Sequence, residues 1–440
     1  MSLFSGTRQW LYTRNVAGRY QNVHRWSGRA LIAWLFVAPW LSLGGHPLVR
    51  ADLPGRRLYL FGQIFTASDG FLIALTGLLA AFTLFFVSAV FGRLWCGYFC
   101  PQTVFLEEWV RRVEAFVEGD GPTRWRRDQG PWTAEKVARK TAKVAILTVL
   151  AVTLAMTVLS YFAGARNLWT GAAGPVDYTL VGILTAGALA DWLWFREQLC
   201  IYLCPYARFQ SALTDQDSLM VGFDPHVDIG KGKSAADKGD CIDCRKCVTV
   251  CPMGIDIRDG FQLECINCAR CVDACTDVMA HFDKPSLVRY TTMAMDEGQP
   301  RRIVRPRTVV YGAIITGIAA VLLGSILLHN PIEVTVHRAG TLYQIDDDGS
   351  VRNTFLLRVV NNDPSETHAF AVGVQGLADL QVSVPVLVLA PGEDRTVPLV
   401  VRVPADSVQN TTDIQILVHT NGESRTVETT FTGPMGGGQG

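Results

Sequence analysis

An excess of positive charge is missing from this chain: 40 Lys and Arg stand against 40 Asp and Glu. Binding to nucleic acid needs a basic field, so that class is excluded. A secretory leader is not expected either. The opening residues carry Arg8, Arg14, Arg19, Arg25 and Arg29 before any apolar run begins. Cysteine is missing from Thr276 to Gly440, all twelve lying between Cys96 and Cys275. That distribution sets the last third apart from thiol chemistry. What the chain has in quantity is apolar sequence, 49% of 440 residues, with a positive mean hydropathy. This is the composition of a membrane protein with soluble parts.

The cysteines are densest from Cys241 to Cys275. Cys241, Cys244, Cys247 and Cys251-Pro252 form one Cys-x-x-Cys-x-x-Cys-x-x-x-Cys run, and Cys265, Cys268, Cys271 and Cys275-Thr276 form a second. This is the bacterial two-cluster ferredoxin pattern, in which the fourth cysteine of each run ligates the other cluster. Cys241, Cys244, Cys247 and Cys275 are therefore assigned to one [4Fe–4S] cluster. Cys265, Cys268, Cys271 and Cys251 are assigned to the second. Zinc would show wider-spaced pairs, often with His, and a disulfide framework would imply an oxidising compartment.

Five stretches have the length to cross a bilayer, which takes about 20 apolar residues. They are 30–49, 70–92, 144–165, 177–199 and 308–332, the fourth interrupted by Asp191. Ten Lys or Arg between Arg93 and Lys143, against Arg166 alone in 164–176, orient the chain by the positive-inside rule. The N-terminus, the basic loop and 200–307 are expected in the cytoplasm, and everything after Asn330 outside. Beyond the fifth span, period-two alternation begins at Ile332–Val336, Thr354–Val360, Ala369–Val374, Val384–Leu389, Val397–Val403 and Ile414–His419. About seven short strands predict a small β-sandwich, and the tail Gly433–Gly440 is Gly-rich.

Four cysteines remain, as a matched pair: Cys96-Gly-Tyr-Phe-Cys100-Pro101 after the second span and Cys200-Ile-Tyr-Leu-Cys204-Pro205 after the fourth. The membrane part thus reads as an internal two-helix duplication. Cysteines at i and i+4 share a helix face about 6 Å apart along the axis, and two such faces would gather four soft thiolates. Copper(I), zinc, a third cluster or a dithiol relay all suit such ligands. Free cysteines are also among the most buried residues, so simple packing is the competing reading. Asp191, nine residues before Cys200, is placed about 13 Å up the same helix, as a functional group or a partner for a neighbouring helix. Arg93 and Arg196 read as snorkelling anchors, and Gln102–Val117 reads as a helix on the membrane surface. His329, His337, His368 and His419 are scattered over strands and read as non-ligands.

The sequence resembles the CcoG/FixG family of cytochrome c oxidase accessory proteins. The likeness rests on Gly92–Val104 around the first cysteine pair, on Phe195–Gln210 around the second, and on the doubled ferredoxin run. It implies an immunoglobulin-like C-terminal domain and a role in assembling a cbb-type haem–copper oxidase by reducing Cu(II) to Cu(I). Cys96, Cys100, Cys200 and Cys204 would then handle copper. The resulting expectation is a multi-pass protein of the bacterial inner membrane. Its parts are an N-terminal segment (1–29), four helices with both Cys pairs (30–205), a cytoplasmic ferredoxin domain (206–307), a fifth helix (308–330) and a periplasmic immunoglobulin-like domain (331–440). Its partners would be the bilayer, a cytoplasmic electron donor, and oxidase subunits or copper chaperones; homodimerisation is left open. The competing functions are a quinol-linked conduit to a respiratory reductase and a non-catalytic copper-binding scaffold.

Overall fold

A computed structural model of the chain describes residues 10–55, 57–65, 70–229, 240–327, 332–340, 342–361, 366–404, 410–420 and 423–434. Arg8, Arg56, His329 and most of the Gly-rich tail lie outside the described residues. The chain forms two compact units, one of residues 1–40 with 71–322 and the other of residues 41–70 with 323–440.

The first unit is helical: α1 Arg19–Val37, α2 Gly70–Phe91, α3 Leu94–Tyr98, α4 Pro101–Phe105, α5 Arg111–Val117, α6 Gly121–Gln129, α7 Ala134–Ala163, α8 Ala165–Trp169, α9 Pro175–Ala190, α10 Pro205–Leu213, α11 Lys246–Thr249, α12 Arg270–Met279, α13 Met293–Asp296 and α14 Pro306–Leu327. Their ends follow capping chemistry. Thr133 accepts a hydrogen bond from the Lys136 amide to start α7, which ends at Gly164 with φ of 87°. Pro175 begins α9, and Asp177 reaches back to the Gly174 amide at 3.0 Å.

Among the described residues four helices are long and apolar enough to cross a membrane: Gly70–Phe91, Ala134–Ala163, Pro175–Phe195 and Pro306–Ser325. Much of their apolar surface is exposed, as at Phe71, Leu78, Val149, Ile183 and Val321. Water would not tolerate such broad apolar faces, and lipid satisfies them. The expected first span, 30–49, is not one helix. Residues 30–37 complete α1, 38–40 make one tight turn, and short strands follow from Ser42 to Asp52. Its helical part is shared with a basic half carrying Arg19, Arg25 and Arg29, so α1 as a whole lacks an apolar span's composition.

The second unit is a β-sandwich whose strand pairs are all antiparallel. Strands 381–383, 394–404, 350–361 and 332–338 make one sheet, with 344–345 at its edge. Strands 387–389, 368–375, 411–420 and 423–432 make the other. Inward residues Phe355, Leu357, Leu399, Val401, Ile414, Ile416 and Phe431 fill the core. Of the expected strand Val384–Leu389 only 387–389 is strand; the strand before it, 381–383, belongs to the other sheet. Pro385, which offers no amide to a ladder, stands between them. A three-stranded sheet of residues 49–52, 57–60 and 63–65 joins this unit. Arg57 pairs with Asp394 at 2.9 Å there, and buried Ile64 packs on Gly392, where an added Cβ would stand 2.3 Å from the Ile64 Cδ1. His337, His368 and His419 fall on separate strands.

Candidate metal and electron-transfer centre

The two ferredoxin runs fold alike because the same backbone twist recurs at the same positions. Asp243 and Arg245 have φ of 52° and 54°, and Asn267 and Ala269 have 55° and 56°. Left-handed residues that are not glycine carry a steric cost. Four of them, two per run, bend each Cys-x-x-Cys-x-x-Cys into a loop that ends at the first turn of a helix, α11 or α12.

The eight thiols of the two runs lie within electrostatic reach of one another, Cys271 feeling Cys268, Cys265, Cys251 and Cys247. Cys241 is influenced by Cys244 and Cys275, and Cys247 by Cys275 and Cys244. Cys265 is influenced by Cys251, and Cys268 by Cys251 and Cys265. Burial pushes the thiol of Cys265 up to about 11 and that of Cys247 to about 12. Thiolates in such surroundings need a nearby cation, which iron supplies. The eight residues thus fit iron–sulfur clusters in donor type and burial.

Both membrane-proximal cysteine pairs are built the same way, but not on one continuous helix face as expected. Cys96 lies in α3, whereas Cys100 is the extended residue before Pro101, with ψ of 125°. Cys204 before Pro205 repeats this with ψ of 112°. The ring of a proline disfavours helix in the preceding residue, so each second cysteine caps a new helix. Asp191 is likewise not on an unbroken helix with Cys200. Two wide helical turns, Asp191–Phe195 and Leu199–Leu203, flank Arg196, whose φ is 53°. Such π-type turns are frequent at functional sites.

The four cysteines nevertheless converge. Cys96, Cys100, Cys200 and Cys204 line one cavity of about 350 Å³, together with Tyr202, Tyr206, Met253, Glu264 and Ile266. Burial drives the Cys96 thiol up to about 12 and raises that of Cys200, with the neighbouring thiols adding to both. Among the described residues no three His, Cys, Asp or Glu side chains close on a single ion.

This cavity abuts the second ferredoxin run. Cys96, Cys200, Cys251, Cys265, Cys271 and Cys275 pack around one apolar core of Met253, Ile255, Ile266, Cys268 and Val272. A Cβ on Gly97 would stand 2.5 Å from the Ile266 carbonyl oxygen and 3.2 Å from the Cys268 backbone. Tyr98 donates to the Cys268 carbonyl at 3.4 Å, and Tyr290 donates to that of Asn267 at 2.7 Å. Asp273, between Cys271 and Cys275, accepts from the Tyr20 and Gln21 amides and so caps α1. Gln210, fully buried, accepts from Cys96 at 3.4 Å and donates to the Gly92 carbonyl at 3.0 Å. Gln210, Gly97 and Met253 escaped the sequence reading. The first two lie in the stretches quoted for the family resemblance, which is the one signal that could have singled them out.

The remaining candidates find other roles. Gln102 donates to Asp191 at 2.9 Å and to the Arg196 carbonyl at 3.1 Å, tying the first half of the duplication to the second. Arg93 donates to the Ala207 carbonyl. Arg196 is no snorkelling anchor: it is buried against Glu114 at 2.6 and 3.1 Å. The helix 102–117 is covered on two sides. Phe105, Trp109 and Val113 pack on Leu147 and Trp192, while Glu107 and Glu114 face Arg111, Arg270, Arg124 and Arg196. Only Phe116 is left fully outward.

Comparison with known proteins agrees with this architecture. Residues 195–293 match the 4Fe-4S dicluster domain, residues 73–116 match a 4Fe-4S binding domain, and residues 322–434 match the IG-like fold at the C-terminus of FixG. Protein RdxB of Cereibacter sphaeroides is 35% identical over 402 residues, covering 86% of this chain and 84% of that protein. Nitrogen fixation protein FixG of Rhizobium meliloti is 34% identical over 420 residues, covering 84% of this chain and 80% of its own. A FixG-related protein from Vibrio parahaemolyticus, known from a crystal structure, is 24% identical over 24% of this chain and 99% of its own, with a TM-score of 0.23. The chain belongs to the FixG family of iron–sulfur electron-transfer proteins of the membrane.

Proposed function

We propose that this protein is a membrane-bound metal reductase that converts Cu(II) to Cu(I) for assembly of a cbb-type haem–copper oxidase. The observation that carries the reading is the meeting of both Cys-x-x-x-Cys-Pro pairs in one cavity walled by the second ferredoxin run. Cys241, Cys244, Cys247 and Cys275 hold one [4Fe–4S] cluster, and Cys265, Cys268, Cys271 and Cys251 the other. When bound, such clusters supply one-electron storage at potentials set by their surroundings.

The substrate's chemistry follows from the protein's own donors. Cu(II) accepts one electron and becomes Cu(I), the soft ion that thiolates and thioethers favour. Cys96, Cys100, Cys200, Cys204 and Met253 offer that donor set. Copper entry displaces the thiol protons that burial otherwise holds on Cys96 and Cys200. Gly97 lets the thiol-bearing helix lie on the backbone of the cluster loop, which keeps the path for the electron short and dry. The electron originates in a cytoplasmic donor. The positive-inside distribution supports cytoplasmic clusters and a periplasmic C-terminal domain in the bacterial inner membrane.

The test is anaerobic copper reduction by the full-length protein with a chemical reductant. The Cys96→Ser, Cys200→Ser double variant is expected to keep both clusters but lose copper binding and reduction. Wild-type binding and rate in that variant would sink the assignment. A second reading, a quinol-linked conduit, is favoured by an apolar cavity of about 260 Å³ beside Cys265, lined by Phe261, Leu263, Met220 and Met293. Bleaching of the clusters by reduced quinone alone would support it.

A further inference from the structure

Away from the sulfur ligands, a cavity of about 360 Å³ lies between α1, the N-terminal segment and the helices 106–121. Its wall holds six arginines: Arg25, Arg29, Arg111, Arg112, Arg124 and Arg270. Against them stand three carboxylates, Glu107, Glu108 and Asp120. Adding the ion partners behind the wall, Glu114, Arg196 and Glu197, gives seven arginines to five carboxylates. The excess is three positive charges on the wall alone and two when those partners are included.

That excess is held where charge is costly. Arg111 is 8% exposed and Arg270 5% exposed. Each spends its terminal nitrogens well: Arg111 on Glu107 at 2.7 Å and the Pro252 carbonyl at 2.9 Å, Arg270 on Glu107 at 2.5 Å and the Arg14 carbonyl at 3.0 Å. Yet the Nε–H of both is left without a partner. Arg25, half-buried on the opposite wall, has no ion-pair partner among the described residues. Removing guanidinium groups from water without full pairing is strongly unfavourable. An anion resting in the cavity would offset the excess charge and give Arg25 a partner.

We propose that this cavity binds a phosphate-type dianion. Guanidinium forks match tetrahedral oxyanions by paired hydrogen bonds, which is why arginine is chosen for phosphate. A carboxylate monoanion would leave one charge uncompensated, and a cation would be repelled. The same chemistry is offered by a soluble phosphate compound and by a phospholipid headgroup.

The experiment uses the full-length, cluster-loaded protein. Inorganic pyrophosphate is titrated calorimetrically into protein in detergent, then into protein in phosphatidylcholine nanodiscs with and without phosphatidic acid. Lipid retained after exchange into phosphatidylcholine is identified by mass spectrometry. Saturable pyrophosphate binding at one per chain, unaffected by phosphatidic acid, supports the site with a soluble ligand. Retained phosphatidic acid, or pyrophosphate binding that phosphatidic acid blocks, supports the site with a headgroup. In either case Arg25→Gln should weaken binding by about tenfold or more, the loss of one charged hydrogen-bonding partner. Arg25→Lys should recover part of that affinity, and both variants should retain wild-type iron. Neither saturable pyrophosphate binding nor retained phosphatidic acid, or equal binding in Arg25→Gln and wild type, would overturn the proposal.

Discussion

Replacing Gly97 with alanine tests the contact on which the electron path rests. The added methyl would meet the Ile266 carbonyl oxygen at 2.5 Å, where ordinary contacts begin at 3.4 Å. The Cys268 α-carbon and amide nitrogen, both at 3.2 Å, block the alternative direction. All three atoms are backbone, so no side chain can swing aside, and α3 and the cysteine loop must separate by roughly 0.9 Å, the shortfall in that contact. Overpacking of this kind costs about 1–3 kcal/mol, less than the roughly 5–15 kcal/mol that holds a typical domain. The fold should therefore survive while the loop carrying Cys265 and Cys268 moves. Anaerobic iron and sulfide analysis with paramagnetic resonance reads the outcome. We expect selective broadening or loss of the second cluster's signal, a lower copper-reduction rate, and an unaltered first cluster. Wild-type spectra and rate in Gly97→Ala would refute the argued contact, because the steric conflict leaves no room for both.

Two further outcomes follow from the charges and the thiols. Glu114 is buried between Arg196 and Arg124; burial pushes its carboxyl up, but those partners win and hold it down at about 2. Glu114→Gln strands two buried guanidiniums and should cost roughly 3–5 kcal/mol, seen as a lower thermal midpoint; a loss under about 1 kcal/mol, the value of an exposed pair, would contradict the burial argument. Stripped of iron, the protein keeps Cys265 protonated to about 11 by burial, against about 8.5 for a free thiol. That stability is present below about pH 8.5 and lost as pH rises towards 11, so melting of the iron-free chain should fall across that window while the loaded protein stays flat.

Regular sequence signals were legible where a single physical cause dictates them. The doubled cysteine runs specify a 4Fe-4S dicluster domain because their spacing is local, and the alternation of residues such as Thr354–Val360 specifies strands because one face is buried. Strand 423–432 was invisible: its Thr, Glu and Arg residues give little alternation, and only Phe431 is deeply buried. The convergence of Cys96, Cys100, Cys200 and Cys204 could be expected from the duplication, but its geometry could not. Pro101 and Pro205 break the helices that simple periodicity would continue. Arg196 read as an interfacial anchor because its partner, Glu114, is 82 residues away in sequence. Long-range ion pairing leaves no periodic trace.

The small sheet of residues 49–65 belongs with a sandwich that begins some 270 residues later, as the Arg57–Asp394 pair, 337 residues apart, makes plain. A ribosome delivers the early segment long before its counterpart exists. Until the C-terminal strands are made, that sheet lacks the unit it belongs to, and closing so wide a loop comes late in folding. Any truncation near the end of the gene therefore also orphans a piece near its beginning.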